Sequence, residues 1–139
     1  MGGISQSKAT LDEHQQLLWK GNVSLENNGG FASTRHALPN LDVSNYQGIS
    51  LLVSGDEKTY KLNLANDLSS GSPRFQARFD LRAGLHLVYI PFQHLSASIR
   101  GNKVNAFFNP SMLKMVGFLI ADQQEGPFHL SVKKISAYV

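Results

Sequence analysis

The groups of this 139-residue chain that could do acid–base or metal chemistry are five histidines, His14, His36, His86, His94 and His129, and ten carboxylates. Their spacing argues against both uses. No H-x-H, H-x-x-x-H or H-E-x-x-H run sets two imidazoles side by side for a metal. The absence of cysteine excludes disulfides, thiolate-bound zinc and a thiol nucleophile. The phosphate-binding P-loop, the dinucleotide G-x-G-x-x-G turn and the G-x-S-x-G elbow are missing as well. Asp56 and Asp122 could divide acid and base roles if a fold held them close together, yet nothing in the sequence joins them. Asp56 stands in a Gly-Asp turn, where a carboxylate accepts hydrogen bonds from nearby backbone amides. Asp122 closes an apolar run, placed to neutralise Arg35 or Arg78 on a neighbouring strand, a pairing that would be architectural. These residues predict a protein that is not an enzyme and uses no metal and no cofactor.

Binding is the other chemistry on offer. Trp19, Tyr46, Tyr60, Tyr89, Tyr138 and eight phenylalanines could stack against sugar rings, but most fall in phase with aliphatic neighbours, as Trp19 does with Leu17 and Val23, and so belong to a core. The formal charge is +3, and Lys133 and Lys134 are the only adjacent cations. A DNA-binding stripe with aromatics between its charges is therefore not expected, and RNA binding would need a fold that gathers the cations on one face.

The elements that must position these groups follow from size and period. The length fits one domain, and 42% apolar residues are too many for a disordered chain. The longest apolar stretch, 115–121, is far too short to span a bilayer, and MGGISQSK has no secretory h-region, so a cytoplasmic protein, not integral to a membrane, is expected. Ser5 falls one place early for a myristoylation signal. Alternation with period two recurs along the chain, the mark of half-buried strands. It predicts a hairpin of 17–25 with 31–37 across Asn27-Asn28-Gly29-Gly30, and a second of 49–53 with 60–64 across Gly55-Asp56-Glu57-Lys58. A fifth strand covers Phe75 to Leu81. A sixth, 85–92, reads as more fully buried and is closed by Pro91. The stretch 93–110 reads as a long connection with a helical turn near 94–99. Strands at 116–120 and 128–132 flank the turn 123–127, as a last hairpin using Gly126 and Pro127. The alternation changes parity at Lys133-Lys134, which a β-bulge would reconcile. About eight short strands in one domain, 1–139, predict an all-β, two-sheet jelly-roll sandwich.

Several segments carry a resemblance: MGGISQS at 1–7, GNVSLENNGGFASTR at 21–35, SGDEKTYKLNL at 54–64, VYIPF at 88–92, IRG at 99–101 and VGFLIADQQEGPFHLSV at 116–132. In this order they resemble the complex I intermediate-associated protein 30 family, which is similar to galactose-binding-like jelly rolls and some carbohydrate-binding modules. Two departures stand out. The chain has Leu85, His86 and Leu87 where the family usually places a tryptophan before IPF, and it starts at Met1 without the family's usual lead-in strand. The missing strand implies an uncovered sheet edge through which copies of the chain could pair as a homo-oligomer. The resemblance implies a non-enzymatic, chaperone-like module that binds a protein partner such as respiratory-complex subunits. The alternative it implies is a carbohydrate-binding module, whose face would use Arg35, Asp56, Tyr60, Arg78 and Asp122.

Overall fold

The computed structural model describes residues 6–11, 17–23, 32–69, 71–120 and 126–139. Among them eleven strands pair, antiparallel throughout: β1 (Gln6–Leu11), β2 (Leu17–Val23), β3 (Ala32–Leu41), β4 (Gly48–Gly55), β5 (Thr59–Ala65), β6 (Arg74–Asp80), β7 (His86–Pro91), β8 (Ser96–Ile99), β9 (Asn102–Lys103), β10 (Leu113–Ile120) and β11 (Gly126–Tyr138). A 3-10 turn, Phe92–His94, follows β7. No helix among the described residues is long and apolar enough to cross a membrane.

The strands divide between a five-stranded sheet, in the order β1-β2-β11-β4-β7, and a six-stranded sheet, in the order β3-β10-β5-β6-β8-β9. Period two decides which side of each strand is dry. In β5, Tyr60, Leu62 and Leu64 are buried while Lys61 and Asn63 are partly exposed. The inward residues of both sheets meet in one core around Trp19, Tyr60, Leu62, Phe118, Ile120 and Leu130. Removing each such side chain from water is worth about 1.5–3 kcal/mol, and this burial holds the layers together. Its centre is aromatic: Trp19 meets Phe128 edge-on at 4.8 Å and Tyr60 at 6.1 Å, and Tyr60 stacks on Phe79 at 6.1 Å. The result is a two-sheet jelly-roll sandwich.

Several local expectations are corrected. The strand pairs 17–25/31–37, 49–53/60–64 and the last two strands are not hairpins. β2 pairs with β1 and β11, β3 with β10, β4 with β11 and β7, and β5 with β10 and β6, so each of these turns carries the chain from one sheet to the other. A reversal between layers uses the same turn chemistry as a hairpin. The residues 27–30 and 123–125 lie outside the described residues. The stretch 93–110 contains β8 and β9, and its one helical turn comes earlier than expected, at Phe92–His94. The strand read as most buried, β7, is an edge. Other expectations hold: Pro91 ends β7, Trp19 is fully buried, and the register of β11 against β4 slips between Val132 and Lys134, leaving Lys133 as the extra residue of a bulge.

Candidate functional site

The structure separates the residues singled out from the sequence. Asp56 and Tyr60 form a clamp at the crossover from β4 to β5. Asp56 Oδ1 accepts from the Lys58 amide at 3.1 Å, Oδ2 accepts from the His129 amide at 2.8 Å, and the Tyr60 hydroxyl donates to both oxygens, at 3.0 and 2.9 Å. One carboxylate thus ties its own turn, the six-stranded sheet through Tyr60, and the five-stranded sheet through β11. Gly55 lets the turn come close. Its φ is +156°, and a Cβ there would stand 2.2 Å from the His129 carbonyl oxygen. Tyr60 has no exposed surface, and both oxygens of Asp56 accept from groups that hold the two sheets together. Burial first, and then the Asp56 charge, pushes the Tyr60 hydroxyl well above its ordinary range.

Arg35 and Arg78 lie on the outer face of the six-stranded sheet. The register places Arg35, Gly117, Asn63, Gln76 and Ser96 in one row across five strands, and Ser33, Leu119, Lys61 and Arg78 in the next. On the other side of the first row, Arg74, Ser98 and Lys103 align across β6, β8 and β9. Gly117 keeps the middle of the face low, since a Cβ there would sit 2.2 Å from the Thr34 carbonyl oxygen. Arg74 is held by Ser72 Oγ at 2.7 Å and the Ser69 carbonyl at 3.2 Å. Its guanidinium is lowered from the ordinary value, by burial first and then by the charge of Arg35, with the charge of Asp67 acting the other way. Asp122 lies outside the described residues.

Two adjoining hollows cross this face. One, of about 710 Å³, is lined by Lys61, Gln76, Ser96, Ser98, Arg100 and Lys103 among others. The second, of about 260 Å³, shares Lys61, Gln76 and Ser96 and adds Arg78 and His94. Among the described residues neither lining has a Phe, Tyr or Trp ring or a carboxylate. A third hollow, of about 430 Å³, opens between the sheets among Leu38, Leu41, Val43, Ile49, Leu113 and Ile135 and is mainly apolar.

The five-stranded sheet has a different outer surface. Leu85, Leu87 and Tyr89 are 53, 54 and 58% exposed. Leu87 pairs across to Leu52, and Tyr89 meets Tyr138 edge-on at 5.2 Å. The far side of β7 meets no strand among the described residues. Sequence reasoning missed this row because a continuous apolar run fits a buried strand and an apolar edge equally well. It also missed Lys61, Gln76, Ser96 and Lys103, although Lys61 alternates with the core residues Tyr60 and Leu62 and so signals an outward position.

A sandwich of two antiparallel sheets in this strand order is a jelly roll. Solved structures bear this out at the level of fold. A family 11 carbohydrate-binding module from a cellulosomal cellulase of Clostridium thermocellum matches with a TM-score of 0.71 at 14% identity, over 96% of this chain and 81% of that one. The same kind of module in complex with a β-1,3-1,4-mixed-linked tetrasaccharide matches with a TM-score of 0.70 at 14% identity, over 96% and 82%. A family 30 carbohydrate-binding module matches with a TM-score of 0.57 at 16% identity, over 99% and 85%. No curated protein matches the chain in sequence. The chain belongs to the complex I intermediate-associated protein 30 family, whose sequence profile matches residues 1–132.

Proposed function

We propose that the chain is a non-catalytic, chaperone-like module that binds a partner protein during the assembly of a larger complex, and that β7 is its docking edge. The observation that carries this is the exposed row of Leu85, Leu87 and Tyr89 beside a strand edge that pairs with no further strand among the described residues. Edges are ordinarily guarded by charge, proline or a bulge. β7 has no Lys, Arg, Asp or Glu between His86 and Pro91, and its proline comes only at the end. An extended apolar segment of a partner can add as a further strand there, with backbone hydrogen bonds along β7 and side chains against Leu87 and Tyr89. The family's description makes respiratory complex I intermediates the first partners to try. The carboxylate and phenol that sequence offered for chemistry, Asp56 and Tyr60, are occupied in holding the two sheets together.

The test is cross-linking and affinity capture from the native cell with wild type and a Leu87→Lys, Tyr89→Lys double variant. The wild type should retain a defined partner and the variant should lose it, with an unchanged circular-dichroism spectrum. Equal capture by both would place docking elsewhere. A pure wild-type dimer that the variant dissolves would make a second copy the occupant of the edge.

A second reading, carbohydrate binding, is favoured by the polar groove on the outer face of the six-stranded sheet and by the likeness in fold to carbohydrate-binding modules. Arg35 and Arg78 remain its candidate contacts.

A further inference from the structure

We propose that the groove across the outer face of the six-stranded sheet takes an acidic sugar chain, one carrying carboxylate or sulfate groups. This rests on the carbohydrate reading of that face. The two hollows share Lys61, Gln76 and Ser96 and so form one trough, with Arg78 and His94 at one end and Ser98, Arg100 and Lys103 at the other. Three features of the lining limit the ligand. Lys61, Arg100 and Lys103 supply positive charge with no carboxylate among the described lining residues to neutralise it, which suits an anion. The Gln76 amide and the Ser96 and Ser98 hydroxyls can both donate and accept, which suits a ligand rich in hydroxyls. The third limit is that no Phe, Tyr or Trp ring stands among the described lining residues, the one imidazole, His94, being at the end of the trough. A neutral sugar would have no aromatic platform to stack on, and single-stranded nucleic acid would lose the base stacking that usually anchors it. A ligand that is both polyhydroxylated and anionic satisfies all three.

The turn between β8 and β9 adds an independent sign. Arg100 and Gly101 both have positive φ, +51° and +83°, the backbone of a tight hairpin turn that favours Asn or Gly at its first position. An arginine there accepts a backbone cost to hold a cation at the rim of the trough. Replacing it with asparagine suits the turn and removes the guanidinium.

The experiment is affinity electrophoresis and titration calorimetry of the full chain with polygalacturonate, chondroitin sulfate, neutral mixed-linked β-glucan and poly(U), at about 50 and about 200 mM salt. Wild type should bind polygalacturonate or chondroitin sulfate, more weakly at the higher salt, and should bind the neutral glucan at least about tenfold less. Arg100→Asn with Lys103→Gln should lower acidic-sugar affinity by about tenfold or more, with thermal stability unchanged or raised. Lys61→Gln should weaken binding at the centre of the trough. If neutral glucan binds as well as the acidic chains, the carbohydrate reading stands and the acidic inference falls. If no sugar binds, both fall. Poly(U) binding more tightly than either acidic sugar overturns the sugar chain in favour of nucleic acid. Undiminished binding by the Lys61, Arg100 and Lys103 variants overturns the location.

Discussion

Asp56 bears more of the fold than any other charged residue described above, because its two oxygens serve three donors on three segments. Asp56→Ala should cost about 3 kcal/mol in urea unfolding, since it leaves a buried phenol and two amides without their acceptor. Tyr60→Phe, which removes one donor and keeps the ring, should cost about 1–1.5 kcal/mol. A loss under about 0.5 kcal/mol for Asp56→Ala would reduce the clamp to an ordinary surface turn. The same pair sets an alkaline limit. With its hydroxyl pushed upward in the folded state, Tyr60 keeps its proton after the unfolded chain begins to lose one near pH 10. Its contribution is therefore complete below about pH 10 and declines above it. Tyr60→Phe should flatten the fall of stability above that pH, and an unchanged alkaline slope would assign the fall to another group. The turn role of Asp56 was legible, because the Lys58 amide is two residues away. The His129 amide is 73 positions distant in sequence, and no local pattern could reveal it.

At the level of elements, alternation identified most strands but not their partners. Lys58 and its neighbours mark a reversal in either arrangement. Whether the next strand pairs beside the last or opposite it depends on which sheet has the open place. The bulge in β11 was legible because parity is a local count. It yields a sharp expectation from register. Without Lys133, Val132, Lys134 and Ile135 would meet Val53, Leu52 and Leu51 as in a regular ladder, so deleting Lys133 should retain cooperative unfolding. Deleting Ser131 instead turns Val132 to the wet face and puts Lys133 opposite Val53, and should lower the melting temperature far more. Paired thermal melts of the two deletions decide this, and equal loss in both would mean that the bulge itself is required. β7 shows the limit of such reading, since Leu85, Leu87 and Tyr89 are exposed on its outward side and no strand among the described residues follows it in the sheet.

For the whole molecule, the fold class was legible from period and size, and the family from its motifs, but the faces were not. Arg35 and Arg78 could be read as outward cations. The trough also needs Lys61 on β5, Gln76 on β6, Ser96 on β8 and Lys103 on β9, and these become neighbours only through the register. The molecule so built offers an apolar edge on one sheet and a cationic trough on the other. One further property follows from the strand order. The segment 126–138 fills the slot between β2 and β4, so no shorter stretch ending before Gly126 can close that sheet. A fragment of residues 1–125 should give a disordered far-ultraviolet spectrum, and mixing it with a peptide of 126–139 should restore the β signal. A folded fragment would contradict this. On the ribosome, the earlier strands must wait with their oily sides bare until the closing strand emerges. A chain made this way is most open to aggregation while its last strand is still inside the ribosome.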